Sequence, residues 1–412
     1  MKWESPRAAQ AHLHELSRLA DTAGAVVVGT LVQRLDSPHP KYYIGEGKVE
    51  ELKQLVQETG ASLIIFDEEL SPAQGKNLED ALKVRIVDRA ELILDIFATR
   101  ARTAEAQMQV ELAQLQYMLP RLRRMWTHLE RTGGGIGTRG PGETQLETDR
   151  RLINRRIRDL REKLEVVARR RATQRKGRKG EFRVALVGYT NAGKSSILRA
   201  LSGTELFVED RLFATLDPAT RQVELGPGTR VLVTDTVGFI RKLPHHLVAS
   251  FRATLEETHE ADLLVHVIDA SHPSWREHKE VVEEVLADLG VADRPMLVVF
   301  NKIDQLTHEE EEEFRERVGL EVREPVVFAS AVEAGGLDAL REKVREILLE
   351  QRPEVRLQIP VQDGEALAVV YREGEVLVRK DEGTVVNLVA RLPRPALGRL
   401  LHRAGVSVTG AA

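Results

Sequence analysis

The chain has 412 residues, of which 42% are hydrophobic and 30% are charged, so we expect several domains, each with its own core. It contains no cysteine, which excludes disulfide bonds and thiolate metal sites and fits a cytoplasmic protein. The sequence has no apolar run of about 18 residues and no secretion-signal pattern. We therefore expect a cytoplasmic protein with no membrane segment.

The net charge of −4 at pH 7 conceals a strongly basic segment. Residues 150–180 contain 14 Lys or Arg and only 3 Asp or Glu. A basic segment in an otherwise acidic chain favours a directed contact with a polyanion. The alternative is a solvated helix face followed by a linker, which is usual where charges are mixed.

Residues 1–103 alternate strand-like runs with helical ones. Runs rich in apolar and β-branched residues at 25–33, 61–66 and 84–88 predict strands, and the segments between them have helical spacing. This alternation predicts a small parallel α/β domain. The Gly-Glu-Gly-Lys sequence at 45–48 matches no phosphate motif and indicates the start of a helix.

Residues 104–180 are predicted to form a helical hairpin with a glycine-rich tip. Apolar residues recur every three or four positions over 104–130, and again from Glu143 to about residue 170. Pro120 interrupts the first run, so we expect a kink or a restart of the helix there. Such helices joined by a short loop pair antiparallel. The loop at 133–142 has six glycines in ten residues, more than a turn requires, so we interpret it as a contact loop, with a flexible linker as the alternative.

Residues 181–352 carry an ordered set of nucleotide motifs. The sequence Gly-Tyr-Thr-Asn-Ala-Gly-Lys-Ser at 188–195 follows a buried strand and begins a helix, which is the context of a phosphate-binding P-loop. Lys194 is expected to bridge the β- and γ-phosphates and the Ser195 hydroxyl to bind Mg²⁺. The nucleotide-binding candidates of this loop are Gly188, Asn191, Ala192, Gly193, Lys194, Ser195 and Ser196.

Two further segments are predicted to respond to the γ-phosphate. Asp235-Thr-Val-Gly238 ends a second strand, so we expect Asp235 to hold the metal, directly or through a water, and the Gly238 amide to bond the γ-phosphate. In the intervening run at 212–216, Thr215 is the candidate for a second hydroxyl on Mg²⁺, with Thr220 as the alternative. The predicted metal ligands are therefore Ser195, Thr215 and Asp235, and the predicted catalytic residues are Lys194, Thr215 and Gly238.

Asn301-Lys302-Ile-Asp304 and Ser330-Ala331 predict specificity for guanine. Asp304 can accept hydrogen bonds from the N1–H and the exocyclic amine of guanine, a donor pair that adenine lacks. Asn301 is expected to fix the loops, the Lys302 stem to cover the base, and the amide of Ala331 to meet guanine O6. The sequence therefore predicts GTP, and not ATP, as the nucleotide.

Two residues of the set predict how hydrolysis is controlled. Phe239 occupies a position that often holds a water-orienting glutamine, so we expect slow intrinsic hydrolysis unless another group orients the water. The amide oxygen of Asn191 is a candidate ligand for K⁺ beside the phosphates, although this P-loop position tolerates many residues.

Residues 353–412 read as strand, helix, strand, strand, helix, strand. This order predicts a small βαββαβ module. None of its residues forms a catalytic pattern, so we expect it to serve in packing or docking. The fold class predicted for the whole chain is therefore multidomain α/β.

The chain resembles the HflX family of bacterial GTPases, related to the Obg group, over nearly its whole length. The resemblance rests chiefly on residues 134–151, 188–195 and 212–218, with further matches at 42–49 and 65–72. It implies binding to the large ribosomal subunit, with the glycine-rich tip near the peptidyl transferase region. It also implies ribosome splitting or rescue under stress and ribosome-stimulated GTP hydrolysis. ATP use by the N-terminal domain is implied as well, but no motif explains it.

With this resemblance, ribosomal RNA becomes the favoured polyanion for the basic segment. The alternative is a non-ribosomal switch that recruits a protein partner through the hairpin. A third possibility, an enzyme that modifies or unwinds RNA, would need a further active site, and the sequence has no pattern for one. We expect a monomer with GTP and Mg²⁺ bound. The candidate rRNA contacts are Gly134, Gly135, Thr138, Arg139, Gly140, Gly142, Arg150, Arg151, Arg155 and Arg156.

Overall fold

The computed structural model describes residues 6–125, 141–176, 181–203, 211–226, 229–243, 257–403 and 405–411. The chain divides into two units: the first takes the described residues of 1–167, 209–217 and 240–254, and the second takes the others. None of the helices in these ranges is long and apolar enough to cross a membrane. The predicted domain boundaries after residues 103, 180 and 352 stay predictions.

The first unit begins as the small parallel α/β domain that the sequence predicted. Its two strands pair in parallel, with Leu63 opposite Arg85. The third helix has a capping box at Ser71, whose hydroxyl accepts from the N–H of Gln74 at 3.3 Å, followed by Pro72 in the first turn. The elements are α1 (Pro6–Thr22), α2 (Glu46–Thr59), β1 (Leu63–Phe66), α3 (Pro72–Leu82), β2 (Arg85–Asp88) and α4 (Arg89–Arg100).

The prediction of a strand at 25–33 is wrong. These residues belong to no strand, and Val26 and Val28 expose 85% and 54% of their surface. The end of the segment is fixed by Gln33, whose side-chain oxygen accepts from the N–H of Gly45 at 3.0 Å. Valine-rich composition favours a strand only where a partner edge is available. The segment instead lines a cavity of about 580 Å³ beside β1.

Two long helices, α5 (Ala104–Met125) and α6 (Pro141–Lys176), form the predicted hairpin, which we call the helical arm. α5 continues through Pro120 without a restart. Leu112 on α5 packs with Ile157 and Leu160 on α6, and all three side chains are buried. The two helices therefore cover part of each other's apolar faces, whereas Met118 on α5 and Leu152 and Val166 on α6 stay exposed.

The second unit is built around a six-stranded sheet in the order β4-β5-β3-β6-β7-β8, in which β4 alone runs antiparallel to its neighbour. The central strands are buried almost throughout, as expected for a parallel sheet with both faces covered. The strands are β3 (Phe182–Gly188), β4 (Ala219–Gly226), β5 (Thr229–Asp235), β6 (Leu263–Asp269), β7 (Met296–Asn301) and β8 (Val326–Phe328). The helices are α7 (Lys194–Ser202), α8 (Trp275–Asp288), α9 (His308–Glu321) and α10 (Asp338–Gln351), with a 3₁₀ turn at Ile303–Gln305.

The second unit also contains the predicted βαββαβ module, which is confirmed. Its antiparallel sheet has the order β10-β11-β9-β12. Along the first of its strands, buried Val355 and Leu357 alternate with exposed Arg356 and Gln358, so one sheet face packs on the helices. The elements are β9 (Glu354–Pro360), α11 (Gly364–Glu373), β10 (Glu375–Glu382), β11 (Val385–Arg391), α12 (Arg394–Leu401) and β12 (Ser407–Ala411).

A buried ion network joins distant parts of the first unit around Arg89, the first residue of α4, which is 1% exposed. Its guanidinium donates to Glu15, to Asp67 at 2.7 Å and to the carbonyl oxygen of Arg241 at 3.1 Å. Asp67 also accepts from the side chains of Arg241 and Lys242, each at 3.0 Å. Burial raises the pKa of Asp67, but these cations outweigh that effect and hold the pKa below its usual value.

We expect Arg89→Met to lower the free energy of unfolding of the first unit by about 3–5 kcal/mol, because Glu15 and Asp67 lose a buried partner. Hydrogen exchange of β2 and α4 at increasing urea concentration measures this loss. Arg85→Gln is the control, since Arg85 pairs with Glu91 at the surface and should cost about 0–1 kcal/mol. Equal losses in the two variants would contradict a buried organising role for Arg89.

Candidate guanine nucleotide site

The predicted P-loop lies between the end of β3 and the start of α7, as its motif requires. Gly193 precedes the helix with φ of 97°, and a Cβ there would lie 2.2 Å from the Nδ2 atom of Asn301. Only glycine fits this backbone and this close approach. Asn191 also has a positive φ, 62°, which asparagine tolerates better than most residues. The loop conformation is therefore fixed by local sequence.

Lys194 is held inside the loop. Its side chain is buried, and its Nζ donates to the carbonyl oxygens of Gly188 and Tyr189 at 3.0 and 2.9 Å. Burial lowers the pKa of Lys194 to about 8, although the charge of Asp235 opposes the change. The main chain of the loop is thus the acceptor for its ammonium group. Ser196 follows in the first turn of α7 and is half-buried.

The structure brings two of the three predicted metal ligands together. The Ser195 hydroxyl donates to the Oδ2 of Asp235 at 2.6 Å, at the carboxyl end of β5. A hydroxyl and a carboxylate are oxygen ligands that suit Mg²⁺. The third predicted ligand, Thr215, belongs to the first unit, whereas Ser195 and Asp235 belong to the second. Thr220, the alternative, pairs with the Thr234 hydroxyl at 2.9 Å between β4 and β5.

The segment after β5 is bonded to the P-loop through its main chain. Thr190 donates to the carbonyl oxygen of Phe239 at 2.7 Å, and Phe239 donates to that of Gly188 at 3.1 Å. A Cβ on Gly238 would lie 2.7 Å from the Cα of Thr190, so this close approach requires glycine. The Phe239 side chain is completely buried. It therefore contributes no polar group to the loops.

The predicted base-reading residues lie in the loops that follow β7 and β8. Asp304 accepts from the Ser330 hydroxyl at 2.7 Å, and Ala331 follows Ser330 and is half-buried. The Nδ2 of Asn301 donates to the carbonyl oxygen of Ala192 at 2.9 Å, which ties this loop to the P-loop. The buried Oδ1 of Asn301 has no hydrogen-bond partner among the described residues.

Two features of this region were not predicted. Lys302 has a φ of 66°, and its Nζ donates to Asp269 at 2.7 Å. Asp269 could have been predicted as a site residue, because it is an acidic residue at the end of a buried strand. The Tyr189 ring stacks on the His278 ring, with the ring centroids 3.7 Å apart. The ring centroids of His272 and His278 are 4.2 Å apart. No spacing in the sequence indicates this stack, because its members come from separate loops and helices.

The predicted rRNA contacts are only partly covered by the structure. Residues 134–140 lie outside the described residues, and Gly142 lies in the first turn of α6. Arg150, Arg151 and Arg155 are exposed on α6. Arg156 donates from Nε and Nη2 to the two carboxylate oxygens of Glu111, each at 2.7 Å. Its guanidinium therefore joins the two helices of the arm.

Three protein-family models match the chain. The GTP-binding GTPase N-terminal model matches residues 10–98, and the GTP-binding GTPase middle-region model matches residues 100–178. The model described as 50S ribosome-binding GTPase matches residues 183–302, which include the P-loop and end in the base-reading loop. Together these matches cover most of the chain.

Curated relatives and a solved structure are similar over most of their length. A GTPase HflX of Caldanaerobacter subterraneus is 49% identical over 89% of this chain and 83% of its own. One of Magnetococcus marinus is 45% identical over 97% of this chain and 93% of its own. A crystal structure of SsGBP with GDP is 28% identical, with a TM-score of 0.48, over 83% of this chain and 96% of that one. The chain therefore belongs to the HflX family of GTPases, enzymes that bind and hydrolyse GTP.

Proposed function

We propose that this GTPase binds the large ribosomal subunit, that its GTP-bound form splits or rescues ribosomes, and that the ribosome stimulates its hydrolysis. The observation that carries the proposal is an exposed cationic face on the arm of a chain that also has a guanine nucleotide site. The family model matching residues 183–302 carries the description 50S ribosome-binding GTPase, which names the same partner. The cysteine-free sequence fits the cytoplasm, and the monomeric state stays a prediction.

We assign the nucleotide roles from the geometry of the loops. Lys194 exchanges its main-chain acceptors for the β- and γ-phosphate oxygens, and the Gly238 amide reports the γ-phosphate. Asp304 reads the guanine edge, with Asn301 holding the loops together. The other proposed nucleotide contacts are Gly188, Asn191, Ala192, Gly193, Ser196, Lys302, Ser330 and Ala331.

Ser195 and Asp235 would hold Mg²⁺, which neutralises charge on the phosphates. Their hydroxyl and carboxylate already lie within 2.6 Å of each other, so the donor set fits this ion. Thr215 is the proposed second hydroxyl, and Asn191 the proposed K⁺ ligand. A monovalent cation there would stabilise the charge that develops during hydrolysis.

Slow intrinsic hydrolysis follows from the burial of Phe239. Its side chain is completely inside the protein and has no group that hydrogen-bonds water. In other GTPases the residue at this position orients the attacking water. In this chain an apolar core residue occupies it. We infer that a group of the ribosome places the water, which makes turnover depend on the partner.

The arm offers phosphate contacts on α6. Arg150, Arg151 and Arg155 are exposed and have no side-chain partner among the described residues, so each can neutralise an RNA phosphate. The apolar side chains that face the other helix, including Leu112 and Leu160, are already buried. Met118, Leu152 and Val166 stay exposed on the arm, so the apolar residues do not distinguish an RNA partner from a protein partner. The preference for RNA rests on the three exposed arginines.

GTP turnover by the protein alone and with isolated large ribosomal subunits tests the proposal directly. We expect strong stimulation by the subunit and loss of light scattering when the GTP-bound protein meets intact ribosomes. Asp304→Asn is the control, since it should weaken GTP binding and abolish both effects. Tight GTP binding without stimulation would contradict the proposal and favour the partner-recruiting switch. Equal rates in K⁺ and Na⁺ would exclude the K⁺ site.

Arg155 and Arg156 form a matched pair for testing the arm. Arg155→Gln should weaken binding to the large subunit and lower the slope of log K against log salt by about one. Arg156→Gln should leave that slope unchanged, because Glu111 occupies its guanidinium. Sedimentation binding at several salt concentrations measures both. If both variants lowered the slope of log K against log salt equally, the assignment of Arg155 as a phosphate contact and of Arg156 as a partner of Glu111 would be contradicted.

GTP binding should take up a proton at Lys194. The pKa of about 8 leaves part of this group neutral above pH 8, and phosphate oxygens favour its charged form. The affinity for GTP should therefore be about fourfold weaker at pH 8.5 than at pH 7. Calorimetry in two buffers of different ionisation enthalpy measures the uptake. Binding at pH 8 without any proton uptake would contradict the lowered pKa of Lys194.

A further inference from the structure

Residues 211–217, which come shortly before β4, are packed as part of the first unit. We call residues 211–217 the first switch, and all of them cluster with the first unit and not with the strands that flank them in sequence. Leu212, Phe213 and Leu216 are 4%, 1% and 2% exposed. Three buried apolar side chains in a short loop fix it firmly in place.

Phe213 shows that this docking acts against the backbone. Its φ is 55°, a conformation that is unfavourable for a bulky residue and persists only where the surroundings impose it. The ring packs edge-on against Phe97 of α4, with centroids 4.6 Å apart and an interplanar angle of 81°. Packing in the first unit therefore holds the first switch in a strained form.

Asp217, the last residue of the first switch, is bonded to the start of the helical arm. Its carboxylate accepts from the N–H groups of Arg102 and Thr103 at 3.2 and 3.3 Å and from the Thr103 hydroxyl. The same hydroxyl accepts from the N–H of Ala106 at 3.1 Å, so Thr103 caps α5. A carboxylate is also favoured at this end of a helix by the helix dipole.

We propose that Asp217 is a positioning residue that couples the nucleotide state of the first switch to the base of the helical arm. Thr215 stands between the two anchors, Phe213 and Asp217. When GTP draws Thr215 to the metal site, the bonds from Asp217 to Arg102 and Thr103 open, and the first turn of α5 loses its outer cap. This inference rests on the proposed role of Thr215, but not on the ribosome as the partner.

Linkage fixes the sign of the effect. If GTP opens the Asp217 contact and GDP leaves it closed, removal of the contact favours GTP by the free energy that the contact contributes. A helix cap contributes on the order of a fivefold change in an equilibrium constant. The same factor should appear in the exchange protection of the first turn of α5.

The test uses the purified full chain without ribosomes. In the unmodified protein, a non-hydrolysable GTP analogue should raise amide exchange over residues 103–108 about fivefold relative to GDP. In Asp217→Ala, exchange there should be fast with either nucleotide, and the ratio of GTP to GDP affinity should rise about fivefold. Asp217→Asn, which keeps an acceptor for the N–H groups, should give intermediate values.

The matched control is Asp363→Ala. Asp363 is a carboxylate at the N-terminus of α11, where it accepts from the N–H of Ala366 at 3.0 Å, but it lies in the βαββαβ module. Its loss should raise exchange in α11 and leave the affinity ratio unchanged. Exchange in β1 and β2, which belong to the same unit as Asp217, reports whether the Asp217 variants are folded.

Two results would overturn the proposal. If Asp217→Ala raises exchange in α5 but leaves the ratio of GTP to GDP affinity unchanged, Asp217 is a helix cap only. If α5 exchange does not respond to Asp217→Ala, the contact does not protect the helix. A failure of large-subunit binding in a separate experiment would count against the proposed function and leave this coupling intact.

Discussion

The buried guanidinium of Arg89 is the interaction on which the first unit depends. A guanidinium donates in several fixed directions, and here it reaches α1 through Glu15, the end of β1 through Asp67, and the main chain at Arg241. A cation with 1% exposure is stable only while such partners surround it. The network therefore places the segment that follows Phe239 in the same unit as α1 and β1.

The residues that follow β5 make hydrogen bonds to two different parts of the chain. Phe239 exchanges main-chain hydrogen bonds with Thr190 and Gly188 of the P-loop, whereas Arg241 and Lys242 bond to Asp67. Only one residue, Ile240, separates these two attachments.

The parts that the sequence predicted are those with a local signal. The P-loop, the buried strands and the βαββαβ module follow from motifs and from side-chain periodicity within a few residues. The strand expected at 25–33 failed because strand formation depends on a partner edge that composition does not reveal. The bonds of Asp217 to Arg102 and of Arg156 to Glu111 join residues 115 and 45 positions apart. No local pattern in the sequence carries such pairings.

The strain at Phe213 would help the well-buried first switch to change state in the way that we propose. Burial of Leu212, Phe213 and Leu216 stabilises docking by about 1.5–3 kcal/mol for each side chain, which alone would hold the loop permanently. A left-handed backbone at a bulky residue subtracts about 1–3 kcal/mol from this. The free energy that still favours the docked loop is therefore closer to the difference in ligand-binding free energy that can reverse such a preference. Relief of that strain would accompany the proposed release, so the residue that anchors the loop would also lower the free energy needed to free it.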